Sequence, residues 1–125
     1  MSIFQIYVCL AHQNFQALEF TEAIKCCIQV VKVEEIFALK QHQTLCEVVE
    51  LKAACEIASK QYSQAIQTLR YLLDCTFQTN EHRAEVKCYE KMALCYFYLG
   101  DLHKCQYYFV KGEKGMIEPS NSGVR

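Results

Sequence analysis

Residues 89–109 read YEKMALCYFYLGDLHKCQYYF, and this stretch decides the fold. Gly100 followed by Asp101 is a stop and a start. Glycine tolerates the left-handed conformation that ends a helix, and an aspartate after it caps the next one. Before the turn, Tyr89, Ala93 and Tyr96 recur at the four- and three-residue spacing of one helix face. After it, Cys105 and Phe109 keep the same spacing. The small residues Ala93 and Cys105 let two helices approach closely, and the large ones fill the crossing. The stretch predicts an antiparallel helical hairpin.

Working outward, the same pattern returns twice. YVCLAHQN, VELKAACE and YEKMALCY align on Ala11, Ala53 and Ala93, spaced 42 and 40 residues apart. FTEAIKCC, YSQAIQTL and LHKCQYYF align on Ala23, Ala65 and Cys105 with the same two spacings. Two registers that agree independently point to an internal repeat.

Six helices follow from periodicity and caps. The first runs from about Ser2 to Gln16 on Ile3, Phe4, Ile6, Tyr7, Leu10 and Ala11, and the second starts near Glu19 and reaches about Lys40. Thr44 with Glu47 reads as a capping box for a third helix, about 44–59. The fourth spans about 62–77. Thr79 or Asn80 caps the fifth, which ends at Gly100, and the sixth runs from about Leu102 to Gly112 or a little beyond.

Composition excludes several classes. The first 99 residues contain neither glycine nor proline, which leaves little room for hairpin turns with positive φ and argues against an all-β fold. Net charge is −1, and the basic residues form no run, so neither nucleic acid nor a membrane surface is expected as partner. No segment has the apolar length of a membrane span, and the N-terminus lacks the basic region of a signal peptide. A soluble, intracellular, cytoplasmic protein is expected. The nine cysteines include no CxxC pair, and the four histidines are not paired at metal-ligand spacing, so no metal or other cofactor is expected. The thiols read as small apolar residues at helix contacts. The chain contains no GxSxG, phosphate-binding loop or dinucleotide fingerprint, and it is not read as an enzyme.

Residues 89–109 resemble the tetratricopeptide repeat. The family's large residue, small residue, tyrosine, Gly-Asp turn, small residue and aromatic fall on Tyr89, Ala93, Tyr96, Gly100-Asp101, Cys105 and Phe109. The middle repeat is similar through Val49, Ala53, Tyr62, Ala65 and Leu69, with Lys60 in place of the glycine and Glu56 in place of the tyrosine. The first matches through Tyr7, Leu10, Ala11, Phe20 and Ala23. A 40–42-residue period exceeds the family's usual 34 and resembles the longer-helix variants of adaptors that orient spindles or cluster receptors. The resemblance implies an all-α fold of three antiparallel helical hairpins, about 2–40, 44–77 and 80–116, stacked as a right-handed solenoid over residues 1–118. Residues 119–125 would form a tail.

The resemblance also implies a function. First helices of such hairpins line a groove that takes a peptide or helix. Carried over by register, the groove is formed by His12, Phe15 and Gln16, by Glu50 and Ile57, and by Lys87, Glu90, Leu94, Phe97 and Tyr98. Glu50 and Glu90 stand where relatives that clamp a carboxylate need bases, so an amphipathic helix or a basic-apolar segment is the expected ligand. The cluster Tyr96, Phe97, Tyr98, Tyr107, Tyr108 and Phe109 has few interleaved bases and is expected in the core rather than stacking on nucleic acid. Tyr107, which lies off the family pattern, is the first of them expected at the surface. Ile3, Phe4, Ile6 and Val8 on the opening helix, and the lack of a capping helix after Pro119, lead us to expect both ends of the stack to be unfinished, as in a piece of a longer array or a chain packed on other subunits. The rival readings are a structural subunit of a large cytoskeletal or ciliary assembly and a thiol-based redox or metal-binding protein.

Overall fold

Each hairpin closes on the same turn. Leu18, Lys60 and Gly100, spaced as the repeats are, adopt φ of 63°, 64° and 84°. In each, the residue at positive φ donates its N–H to Phe15, Ile57 or Phe97, and the next N–H reaches back to Asn14, Glu56 or Tyr96. This pair of bonds satisfies the last carbonyls of the preceding helix. One sequence carries a glycine there; the other two force a side chain into the same geometry.

A computed structural model describes residues 2–37, 40, 42–79 and 82–117. Six helices occupy them: α1 (Ile3–Gln16), α2 (Phe20–Phe37), α3 (His42–Ala58), α4 (Tyr62–Thr79), α5 (His82–Tyr98) and α6 (Leu102–Ile117). They pair as α1 with α2, α3 with α4 and α5 with α6, and the seams α2 to α3 and α4 to α5 join the pairs into one stack. Ser2 caps α1 in a reciprocal arrangement with Gln5, and Asp101 accepts the Lys104 N–H at the start of α6.

The boundaries correct the expected ones at two places, the starts of α3 and α5. α3 begins at His42, so Thr44 lies inside the first turn and is not its cap. Thr79 ends α4 rather than capping α5, and Asn80 lies outside the described residues. α6 runs five residues past Gly112. Gly112 is a close-approach residue rather than a stop: a Cβ there would lie 3.6 Å from both Tyr89 Cβ and Glu90 Cγ.

Two apolar clusters hold the stack. Phe4, Ala11, Cys27, Val30, Val33 and Val48 form the first, across α1, α2 and α3. The larger one joins α3, α4 and α5 through Val49, Ala53, Ala65, Leu69, Leu72, Cys88, Met92 and Tyr96. The aligned alanines Ala11, Ala23, Ala53 and Ala65 are wholly buried, as close helix crossings require. Of the six rings of the aromatic cluster, only Tyr96 is buried and Tyr108 half-buried; Tyr107 is exposed as its register implies, and Phe97, Tyr98 and Phe109 are exposed against the core expectation. They point away from the α5–α6 seam, whose register takes up Tyr89, Ala93, Tyr96, Cys105 and Tyr108.

Candidate functional site: an apolar face on the first helices

α5 supplies the site because its core stripe leaves one face free. Met92, Ala93 and Tyr96 face inward, so Leu94, Phe97 and Tyr98 face solvent. Tyr98 stacks on Tyr62, the first residue of α4, with ring centroids 4.9 Å apart, and Phe97 meets Tyr98 edge-on at 5.5 Å. Three rings and a leucine thus form one exposed apolar surface that crosses from the third hairpin to the second. Tyr62 was placed by the sequence in the core register; its half-burial adds it to this surface.

The other expected residues divide. Ile57 is half-buried and packs on the large cluster, with its backbone carbonyl in the hairpin turn. Glu50 is half-buried and pairs with Lys91 of α5 at 3.6 Å. Lys91 therefore offsets part of the acid edge, which the sequence reading did not anticipate. Glu90 is exposed, with its stem near Gly112 of α6; Lys87 is exposed beside it in sequence. His12, Phe15 and Gln16 sit at the far end of α1. His12 and Gln16 are exposed, and Phe15 leans on Phe20 across the turn at 5.9 Å. α3 packs on α1, and its Glu50 reaches α5, so the three first helices are linked through α3.

A second concavity has no signature in the sequence. A cleft of about 380 Å³ opens between α2 and α4 over α3, with Ile28, Val31 and Val49 below and Lys32, Glu35 and Tyr71 at the rim. Lys52 and Thr68 line it too. They belong to a buried polar triad: Lys52 Nζ donates to Glu56 Oε2 at 2.8 Å and to Thr68 Oγ1 at 2.9 Å, and Thr68 donates to Glu56 Oε1 at 2.6 Å. Only Glu56 stood out in the sequence, as the departure from tyrosine.

Five of the nine thiols sit where burial disfavours the thiolate. Burial pushes Cys27 and Cys88 up to about 12, and Cys55, Cys75 and Cys95 up to about 11. The thiolate is the nucleophile and the metal ligand, and at these sites it is scarce. Among the described residues no cluster of three or more His, Cys, Asp or Glu is placed to hold a metal ion, and no helix is long and apolar enough to cross a membrane.

This architecture is that of tetratricopeptide-repeat domains. The chain superposes on the crystal structure of the tetratricopeptide domain of Arabidopsis FLU with a TM-score of 0.78, at 18% identity, covering 90% of this chain and 93% of that one. It also matches the TPR2AB domain of yeast Sti1, solved as a complex with pHSP90, with a TM-score of 0.70 and 20% identity. That match covers 90% of this chain and 41% of the Sti1 chain, so this chain spans less than half of it. No protein-family profile and no curated protein sequence matches the chain. The fold class is therefore all-α, with three antiparallel helical hairpins stacked as a tetratricopeptide-like solenoid.

Proposed function

We propose that the chain is a protein–protein interaction scaffold that takes a partner helix or peptide along its first helices, with α5 as the principal contact. The observation that carries this is the exposed surface of Leu94, Phe97, Tyr98 and Tyr62. Rigid, solvent-facing aromatic groups next to one another are what binding surfaces use as anchors. Along the first helices, Glu47 and Glu50 of α3 and Glu90 of α5 outnumber Lys87 and Lys91, and Lys91 already serves Glu50. The remaining acid favours a ligand that is apolar on one side and basic on the other. The Sti1 domain, which shares the fold, was solved as a complex with pHSP90, and this agrees with a binding role.

The test uses two labelled amphipathic helical peptides with the same apolar stripe, one with a lysine-rich polar face and one with a glutamate-rich face. Fluorescence anisotropy should show tighter binding of the basic peptide. Phe97→Ala with Tyr98→Ala should weaken it about tenfold, or about 1.4 kcal/mol, at unchanged helicity by circular dichroism. Equal affinity for both peptides, or affinity indifferent to the double substitution, would reject this reading.

A further inference from the structure

The repeat gives every position in one hairpin an equivalent in the next, so the two ends of the stack can be compared with its interior. At the seam between the first and second hairpins, Val48 of α3 and Cys27 of α2 share one core cluster. At the next seam, the equivalent Cys88 of α5 and Leu69 of α4 share the other. All four are buried, at 0 or 1% exposure. The equivalent residues on the first and last described helices are Ile6 on α1, 42% exposed, and Phe109 on α6, 55% exposed. Their neighbours behave alike. Ile3 is exposed where its equivalent Leu45 is buried, and Leu102 is exposed where Phe20 and Tyr62 are half-buried. The outer edge of α1 is thus the kind of surface that α3 and α5 present to the hairpin before them. The outer edge of α6 is the kind that α2 and α4 present to the hairpin after them.

These two edges stand in the relation that the interior repeats twice, with Leu102 and Phe109 keeping the apolar character of Tyr62 and Leu69 while Gln106 and Glu113 replace Ile66 and Leu73. Nothing electrostatic opposes the match. α1 contains no acidic residue, lysine or arginine, so the lysines of α6, Lys104, Lys111 and Lys114, meet no like charge there.

We propose that the chain binds a second copy of itself head to tail, the α6 edge of one copy seating the α1 edge of the next as a continuation of the internal seam. Such a contact uses two different patches, so it does not close on itself in a dimer. It leaves one free edge at each end and adds copies as concentration rises.

The experiment is size exclusion with light scattering on the 125-residue chain under reducing conditions, over a wide concentration range. The mass of the unmodified protein should rise with concentration. Ile6→Lys blocks one edge and Phe109→Lys the other; both residues are exposed, so each variant should keep the native circular dichroism. Each alone should be monomeric, and an equimolar mixture should give a dimer that grows no further, since its outer edges are both blocked. Ile3→Lys and Leu102→Lys serve as a second pair should either first variant lose helicity. A chain that stays monomeric at every concentration overturns the proposal and leaves these edges to a different polypeptide. Oligomers indifferent to both substitutions, or a mixture that fails to restore the dimer, overturn it as well.

Discussion

The middle and last hairpins solve the same packing problem with opposite chemistry. Two positions face one another across each hairpin, and in the last they hold Tyr96 and Tyr108, stacked with centroids 5.5 Å apart. Tyr96 accepts a hydrogen bond from Arg70 at 2.9 Å, so its hydroxyl is satisfied while its ring fills space. In the middle hairpin the same positions hold Glu56 and Thr68, tied by a 2.6 Å hydrogen bond and joined by Lys52, which stands where the last hairpin has Met92. In the first they hold Asn14 and Cys26, in a weak N–H to sulfur contact of 3.7 Å. The backbone does not change; the contents of the crossing do. The repeat dictates that this crossing be filled and leaves open whether rings or a closed polar network fill it.

The largest effect should come from opening the polar network. Glu56→Ala leaves the half-buried Lys52 ammonium and the buried Thr68 hydroxyl without their acceptor at the floor of the cleft. Breaking a largely buried pair this way costs about 3 kcal/mol. Tyr96→Phe should cost only about 1 kcal/mol, since it removes one hydrogen bond and keeps the ring. Urea unfolding measures both. Similar costs would mean that the triad is solvated enough to lose a member cheaply. The comparison sharpens if Lys52→Met, Glu56→Tyr and Thr68→Tyr are made together, copying the last hairpin. That triple variant should lose less stability than Glu56→Ala alone, because no charge is stranded.

This difference explains what the sequence made legible. The last hairpin announces itself because its crossing is aromatic and its turn carries Gly-Asp, both of which stand out among 125 residues. The middle crossing does not, since Lys52, Glu56 and Thr68 belong to two helices and look like ordinary surface residues one at a time. The α2–α4 cleft was invisible for the same reason: its walls come from three helices. Phe97 and Tyr98 could be assigned to a solvent-facing stripe by register, yet their aromatic character also argued for the core, and only packing separates the two. Gly112 left the end of α6 open, because glycine marks both a helix end and a close approach, and here α6 presses on Tyr89 and Glu90.

A smaller effect should appear at alkaline pH. Cys55 and Cys95 occupy equivalent positions, and each thiol is pushed from 9.0 to about 11, first by burial and then by the charge of Glu56. The folded value lies above the unfolded one, so this contribution is complete below pH 9 and fades as pH rises from 9 toward 11. Each thiol should steepen the loss by up to about 1.4 kcal/mol per pH unit. Cys55→Ala and Cys95→Ala should therefore flatten the alkaline limb of the stability profile by similar amounts under reducing conditions. Unequal flattening would show that the two crossings differ in hydration as well as in content.

The smallest effect concerns the turns, where the hairpins share a geometry and differ in fitness for it. Lys60 and Leu18 hold φ near 64°, a region that costs a residue with a Cβ about 1–2 kcal/mol. Glycine removes that strain but adds about 0.5–1 kcal/mol of backbone entropy lost on folding. The strain is the larger of the two, so Lys60→Gly should stabilise the chain by about 0.5 kcal/mol. The reverse change, Gly100→Ala, should destabilise it by a similar amount for the same reason alone, because a Cβ at Gly100 would touch nothing within 4 Å. Thermal melts of the two variants, made singly and together, should give shifts of opposite sign that cancel in the pair. If Lys60→Gly lowers the melting temperature instead, the lysine side chain contributes more to its turn than its backbone strain costs.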